Sequence, residues 1–100
     1  MGGLEIISPD ELDRYVRRPG VLIIDLRDQE EYRSGHIEGA VSIPYDSMDK
    51  GTSLPANKLL ILYCDRGSAS LAKSRELAER GYHVMSVAGG IHAYRGRYYV

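Results

Sequence analysis

Apolar residues fall in short runs along this chain, and each run is followed by a polar or helix-like segment. VLIID (21–25) and LLILY (59–63) are continuously apolar until their last residues. Strands that are apolar on both faces belong to buried parallel sheets. AVSIP (40–44), cut by Pro44, and HVMSV (83–87), broken after Ala88 by Gly89-Gly90, predict two further strands. The β-branched pair Ile6-Ile7 predicts a first one.

Helix signals lie between these runs. Ser8-Pro9-Asp10-Glu11 combines a capping serine, a proline suited to the first helical position and a glutamate that completes a capping box. Leu12, Tyr15 and Val16 then share a face, and Arg17-Arg18-Pro19-Gly20 ends the helix. Asp28 caps a short helix from Gln29 to Arg33, with Glu31 at the capping-box position and Gly35 closing it. Residues 45–58 read as loop with at most a short helix. From Ser70 to Gly81 the spacing predicts a helix with Leu71, Ser74, Leu77 and Ala78 inward, and Lys73, Glu76 and Arg80 outward. Glu76 and Arg80 stand four apart in the favourable order, and Gly81 is the stop. Ile91 to Arg95 suits one or two helical turns. Alternating strands and helices predict an α/β domain over residues 1–100, with a mostly parallel sheet and right-handed crossovers. Ligands in such sheets bind at the carboxyl ends of strands. Asp25 and Cys64 occupy two of those ends.

Length and charge narrow the function. One hundred residues make about one domain, able to bury roughly two-thirds of its unfolded surface. Thirteen basic and fourteen acidic side chains give a net charge of −1, which argues against a nucleic-acid binder. No apolar run reaches the roughly 18 residues of a membrane span. MGGLEIISPD has neither a basic segment nor a long apolar stretch, and Ile6 stands where myristoylation wants Ser or Thr. A cytoplasmic location, with no membrane partner, is the expectation. The single cysteine excludes an internal disulfide and Cys-x-x-Cys chemistry.

That cysteine carries the chemistry. Cys64 ends the LLILY run and is followed by Asp65, Arg66, Gly67, Ser68, Ala69 and Ser70. A strand that loops into a helix N-terminus aims backbone N–H groups inward and forms an anion nest. Such a nest favours a thiolate, the reactive form, while the Asp65 carboxylate opposes it. Position alone leaves Cys64 open as a nucleophile or as a small buried core residue.

Three segments together resemble the rhodanese-like family of single-domain sulfurtransferases. The first holds Ile24-Asp25-Leu26-Arg27, Glu31-Tyr32, Gly35-His36-Ile37, Gly39-Ala40 and Ile43-Pro44. The second is Tyr63-Cys64 with Gly67 and Ser70; the third is Ala88-Gly89-Gly90-Ile91 with Ala93-Tyr94, where Tyr stands for the family's Trp. The resemblance runs from about residue 5 to residue 97. It implies a five-stranded parallel sheet flanked by helices on both faces. It also implies ping-pong transfer of sulfane sulfur through a Cys64 persulfide. The donor would be thiosulfate or another small persulfide, and the acceptor a thiol, cyanide or a thioredoxin-like protein. Backbone N–H groups from Asp65 to Ser70 would hold the persulfide, and Arg66 would orient an anionic donor. No cofactor or metal is implied, and His83 and His92 show no metal-ligand spacing.

Two departures bear on the donor. Asp65 stands where many family loops carry a basic residue, and Ala69 where many carry Arg. The loop thus favours a less charged persulfide over dianionic thiosulfate. Asp25 and Arg27 resemble the family's Asp-x-Arg, which ties loops together near the site. His36, between Gly35 and Ile37, reads as a turn-fixing residue in preference to a general base. The cationic end, Arg95 to Val100, reads as a solvated tail in preference to a cover over the site's edge. Two rival readings remain: a non-enzymatic interaction module, and a cysteine phosphatase. The phosphatase needs Arg six positions after the cysteine, where this chain has Ser70.

Overall fold

The computed structural model describes residues 2–49 and 52–100. Its strands are β1 (Leu4–Ile7), β2 (Val21–Asp25), β3 (Val41–Ser42), β4 (Leu59–Tyr63) and β5 (Val84–Val87). They form one sheet in the order β1-β5-β4-β2-β3, and every pairing is parallel. The helices are α1 (Pro9–Leu12), α2 (Gln29–Ser34) and α3 (Ser68–Glu79), with short 3₁₀ turns at Tyr45–Ser47 and Ile91–Ala93. Among the described residues no helix is long and apolar enough to cross a membrane.

The continuous apolar runs exist because both faces of the sheet are covered. Alternate residues of the central strands point to opposite sides. Ile23, Ile61, Tyr63, Met85 and Val87 meet Leu12, Val16 and Tyr32 on one face. Ile24, Leu60, Leu62, Val84 and Cys64 meet Leu77 of α3, Met48 and Leu54 on the other. The helix after β2 therefore packs on one face and the helix after β4 on the other. Adjacent strands whose helices leave in opposite directions open a crevice at their carboxyl ends. Asp25 and Tyr63 are in register at those ends, so Cys64 stands in the crevice.

Several elements differ from expectation. The Ser8–Glu11 capping box forms, but α1 ends at Leu12 and residues 13–17 run as turns. Arg17 takes φ 69° there, and its guanidinium forks onto Glu38. β3 is shorter than AVSIP because Ala40 closes a turn onto Ile37 and Pro44 stops the ladder. The 45–58 loop holds the 3₁₀ turn at Tyr45–Ser47; Lys50 and Gly51 within it lie outside the described residues.

The outer face of α3 is also corrected. Lys73 is buried: its ammonium donates to the Met48 carbonyl at 2.9 Å and to Glu76 at 2.8 Å, over the Tyr45 ring. A long aliphatic stem lets a lysine cover a core while its charge finds oxygen partners. Glu76 is thereby paired with Lys73, and Arg80 donates to the Thr52 carbonyl instead. Leu71 is only half-buried, and Ser70 takes the buried place. The tail is not simply solvated: His36 and Val100 exchange backbone hydrogen bonds, and Glu38 donates to Tyr98.

Candidate functional site: the Cys64 loop

Gly67 adopts φ 104°, a left-handed conformation that costs most side chains energy. That sharp entry starts α3 at Ser68, two residues before the spacing predicted. Ser68, Ala69 and Ser70 are thus the first helical turn, whose N–H groups have no intrahelical acceptor. Two donors converge on the thiol: Gly67 N–H and Ser70 N–H reach Cys64 Sγ at 3.2 and 3.3 Å. The positive end of the α3 dipole points the same way.

Cys64 is 7 % exposed and packs into the α3-side core. It is also in the wall of a cavity of about 440 Å³ with Leu26, Arg27, Glu31, Asp65 and Ala69. A buried thiol and a reachable one are therefore not exclusive here. Arg66 is exposed on the rim, without an ion pair among the described residues, and Ser68 is exposed beside it. Ser70 is fully buried; its hydroxyl donates to the Gly67 carbonyl and shares a hydrogen bond with Ser86. A larger cavity, about 730 Å³, lies at the opposite end of the sheet around Gly3, Lys58 and His83. It holds neither the thiol nor any of the loop donors.

Beneath the loop stands a buried ion pair. Asp25 is fully buried and accepts from Arg27 Nη2 at 2.7 Å, Arg27 backbone N–H at 2.9 Å and the Tyr63 hydroxyl at 2.8 Å. Arg27 also donates to the Gly35 carbonyl at 2.6 Å, and Ile37 N–H donates to the Tyr63 oxygen. Burial lowers the Arg27 pKa, but the bonds and charge of Asp25 outweigh it and leave it raised. Burial raises the Tyr63 pKa, and the Asp25 charge adds to this. This cluster ties β2, β4 and the 35–37 turn together; Arg27 alone of it reaches the cavity wall.

His36 lies apart from the thiol's cavity. Its Nδ1 donates to the Tyr32 carbonyl at 2.7 Å, and its ring stacks on Tyr32 at 3.8 Å. Since a carbonyl only accepts, Nδ1 carries the proton. Among the described residues no three His, Cys, Asp or Glu side chains gather as metal ligands.

Three participants were not legible as site residues. Glu31 reads as a helix cap and as part of the first family-like segment, with no site role, yet it lines the cavity. Tyr63 sits inside an apolar run that hides its hydroxyl's role. Gly90 supports the loop from below: Ile91 N–H donates to the Cys64 carbonyl at 2.9 Å and His92 N–H to that of Asp65 at 3.1 Å.

The family model for the rhodanese-like domain matches residues 8–97. A tRNA sulfurtransferase of Desulfurococcus amylolyticus is 39% identical over 74 residues, covering 74% of this chain and 15% of that protein. A tRNA uridine(34) hydroxylase of Photorhabdus laumondii is 26% identical over 98 residues, covering 90% and 28%. The chain thus spans well under a third of the length of either relative. A rhodanese-like domain protein from Staphylococcus aureus superposes with a TM-score of 0.80 at 30% identity, covering 93% of each chain. The rhodanese homolog TT1651 from Thermus thermophilus gives 0.72 at 32%, covering 89% and 99%.

Proposed function

This chain belongs to the rhodanese-like domain family, and we propose that it moves sulfane sulfur through a persulfide on Cys64. The observation that carries the proposal is the convergence of the Gly67 and Ser70 N–H groups on Cys64 Sγ, beside an open cavity. Those donors and the positive end of α3 face the sulfur, and the thiolate is the reacting form. The thiolate attacks the sulfane sulfur of the donor. The donor's S–S bond breaks, and its electron pair leaves on a thiolate, or on sulfite when thiosulfate is used. An acceptor thiolate or cyanide then attacks the outer sulfur, and the pair of the breaking S–S bond returns to Sγ.

The first-turn N–H groups of α3 hold the added sulfur, with Asp65 to Ser70 forming the cradle. Arg66 meets an anionic donor from the rim. Asp25, Arg27 and His36 support the loop without touching sulfur. One exposed cation beside the Asp65 carboxylate favours a small persulfide over thiosulfate. The tRNA sulfurtransferase relative supports sulfur transfer as the shared chemistry.

A phosphatase is less well supported, because Ser70 offers no guanidinium and already spends its hydroxyl on Gly67 and Ser86. An interaction module without chemistry would not require the thiol to receive two N–H donors. Cyanolysis tests the reading: donor-treated protein should yield one thiocyanate per chain, and Cys64→Ser none. No thiocyanate after either thiosulfate or polysulfide would sink it.

A further inference from the structure

Two cavities adjoin at the Cys64 loop. One, about 440 Å³, contains the thiol. The other, about 370 Å³, is walled by Ile91, His92, Tyr94 and Tyr99. Arg27, Glu31 and Asp65 line both and form the wall between them. A sulfur acceptor placed in the second cavity would reach the first past these three side chains.

The charge on that wall is one-sided. Arg27 is neutralised by buried Asp25. Among the described residues neither Glu31 nor Asp65 has a salt-bridge partner, and Arg66 lines the thiol's cavity but not the shared wall. Asp28 adds a third carboxylate to the thiol's cavity, partly engaged by the Glu31 N–H. Burial and then the Asp65 charge raise the Glu31 carboxyl above its ordinary value, the response of carboxylates that share a wall. Tyr99, half-exposed, and Tyr94 line the same cavity. The carboxylates of the shared wall point to a cationic group on the ligand.

Building on the sulfur-transfer reading, we propose that the second cavity is the acceptor subsite and that Glu31, with Asp65, makes it select a thiol carrying a positive group near its sulfur. The acceptor's ammonium lies against the Glu31 and Asp65 carboxylates while its sulfur faces Cys64. The thiol proton goes to solvent and the thiolate attacks the outer sulfur of the Cys64 persulfide. One S–S bond forms as the other breaks, and the electron pair returns to Sγ. Glu31 determines specificity; it forms no bond to sulfur.

The test uses protein preloaded with sulfur on Cys64 and discharged by three thiols of similar size: cysteamine, mercaptoethanol and mercaptopropionate. Each rate is divided by the same thiolate's rate with a small-molecule disulfide, which removes intrinsic nucleophilicity. Wild type should prefer cysteamine over mercaptopropionate by about tenfold or more, from two partly desolvated charge contacts. Glu31→Gln keeps the helix-capping oxygen and should compress that preference roughly three- to tenfold. Added salt should compress it in wild type as well, a readout that needs no variant. An equal preference in wild type and Glu31→Gln, or one indifferent to salt, overturns the assignment. Loaded protein with no charge preference overturns it while leaving sulfur transfer intact; protein that never loads overturns both.

Discussion

Gly90 lies directly under Cys64. A Cβ at position 90 would stand 2.4 Å from the carbonyl oxygens of both Cys64 and Asp65, and Gly90 holds φ 61°, ψ −159°. That region of backbone space is open to glycine almost alone. The Gly-Gly segment therefore works as a close support for the cysteine loop, fastened by the Ile91 and His92 N–H groups.

Gly90→Ala should cost on the order of 1–3 kcal/mol from backbone strain, before any clash is counted. In a domain of this size that lowers Tm by several degrees for each kcal/mol. Thermal unfolding checks the loss. Sulfur loading of the folded fraction should also slow, because the displaced carbonyls carry the Cys64 backbone with them. Unchanged stability would mean that the loop rests elsewhere.

Asp25 and Tyr63 make separable contributions beneath the loop. Asp25→Asn leaves the buried Arg27 guanidinium without its counter-charge, a loss of about 3–5 kcal/mol. Tyr63→Phe strands the Ile37 N–H and takes one donor from Asp25 Oδ2, which keeps Arg27, a loss of about 1–3 kcal/mol. Urea unfolding should rank them in that order. The reverse order would show that the charge pair is not the main tie.

Asp65 opposes anionic donors. Asp65→Ser, and more so Asp65→Arg, should raise kcat/KM for thiosulfate, on the order of threefold to tenfold, by removing repulsion beside Cys64. Steady-state cyanide assays at low salt measure the change. Equal or lower activity would show that Asp65 does not govern donor charge.

Tyr94 gives a stability dependence at high pH. Its hydroxyl donates to the Asp13 carboxylate, and its ring is buried. Burial, then that hydrogen bond, push its pKa up to about 12, against an ordinary value of about 10. Between those values the folded state holds a proton that the unfolded state releases. Its stabilisation is complete below about pH 10 and is lost as pH rises toward about 12. Tyr94→Phe should flatten the fall of Tm across that window, with Tyr63 supplying the remainder.

Much of the frame is written locally. β2 and β4 keep the bounds of their apolar runs because both faces are covered, and both capping boxes form from side chains three residues apart. What local pattern missed depends on distant partners. α1 stops early where Asp13 turns toward Tyr94, eighty-one residues away. Lys73 is buried because Tyr45, Met48 and Glu76 accept its stem and charge. The tail is paired through His36. In the candidate site, Cys64 and its loop were legible from the strand-to-helix junction. Glu31 was not, since a capping box carries no information about which cavity the same carboxylate will face.

The central claim is that Cys64 carries and releases one sulfur. Intact-protein mass spectrometry after brief donor treatment reads it directly. A one-sulfur adduct located on Cys64 is expected, discharged when an acceptor thiol is added. Folded Cys64→Ser should show no adduct. Wild type without the adduct under both polysulfide and thiosulfate, or an adduct that acceptor thiols do not discharge, would contradict it.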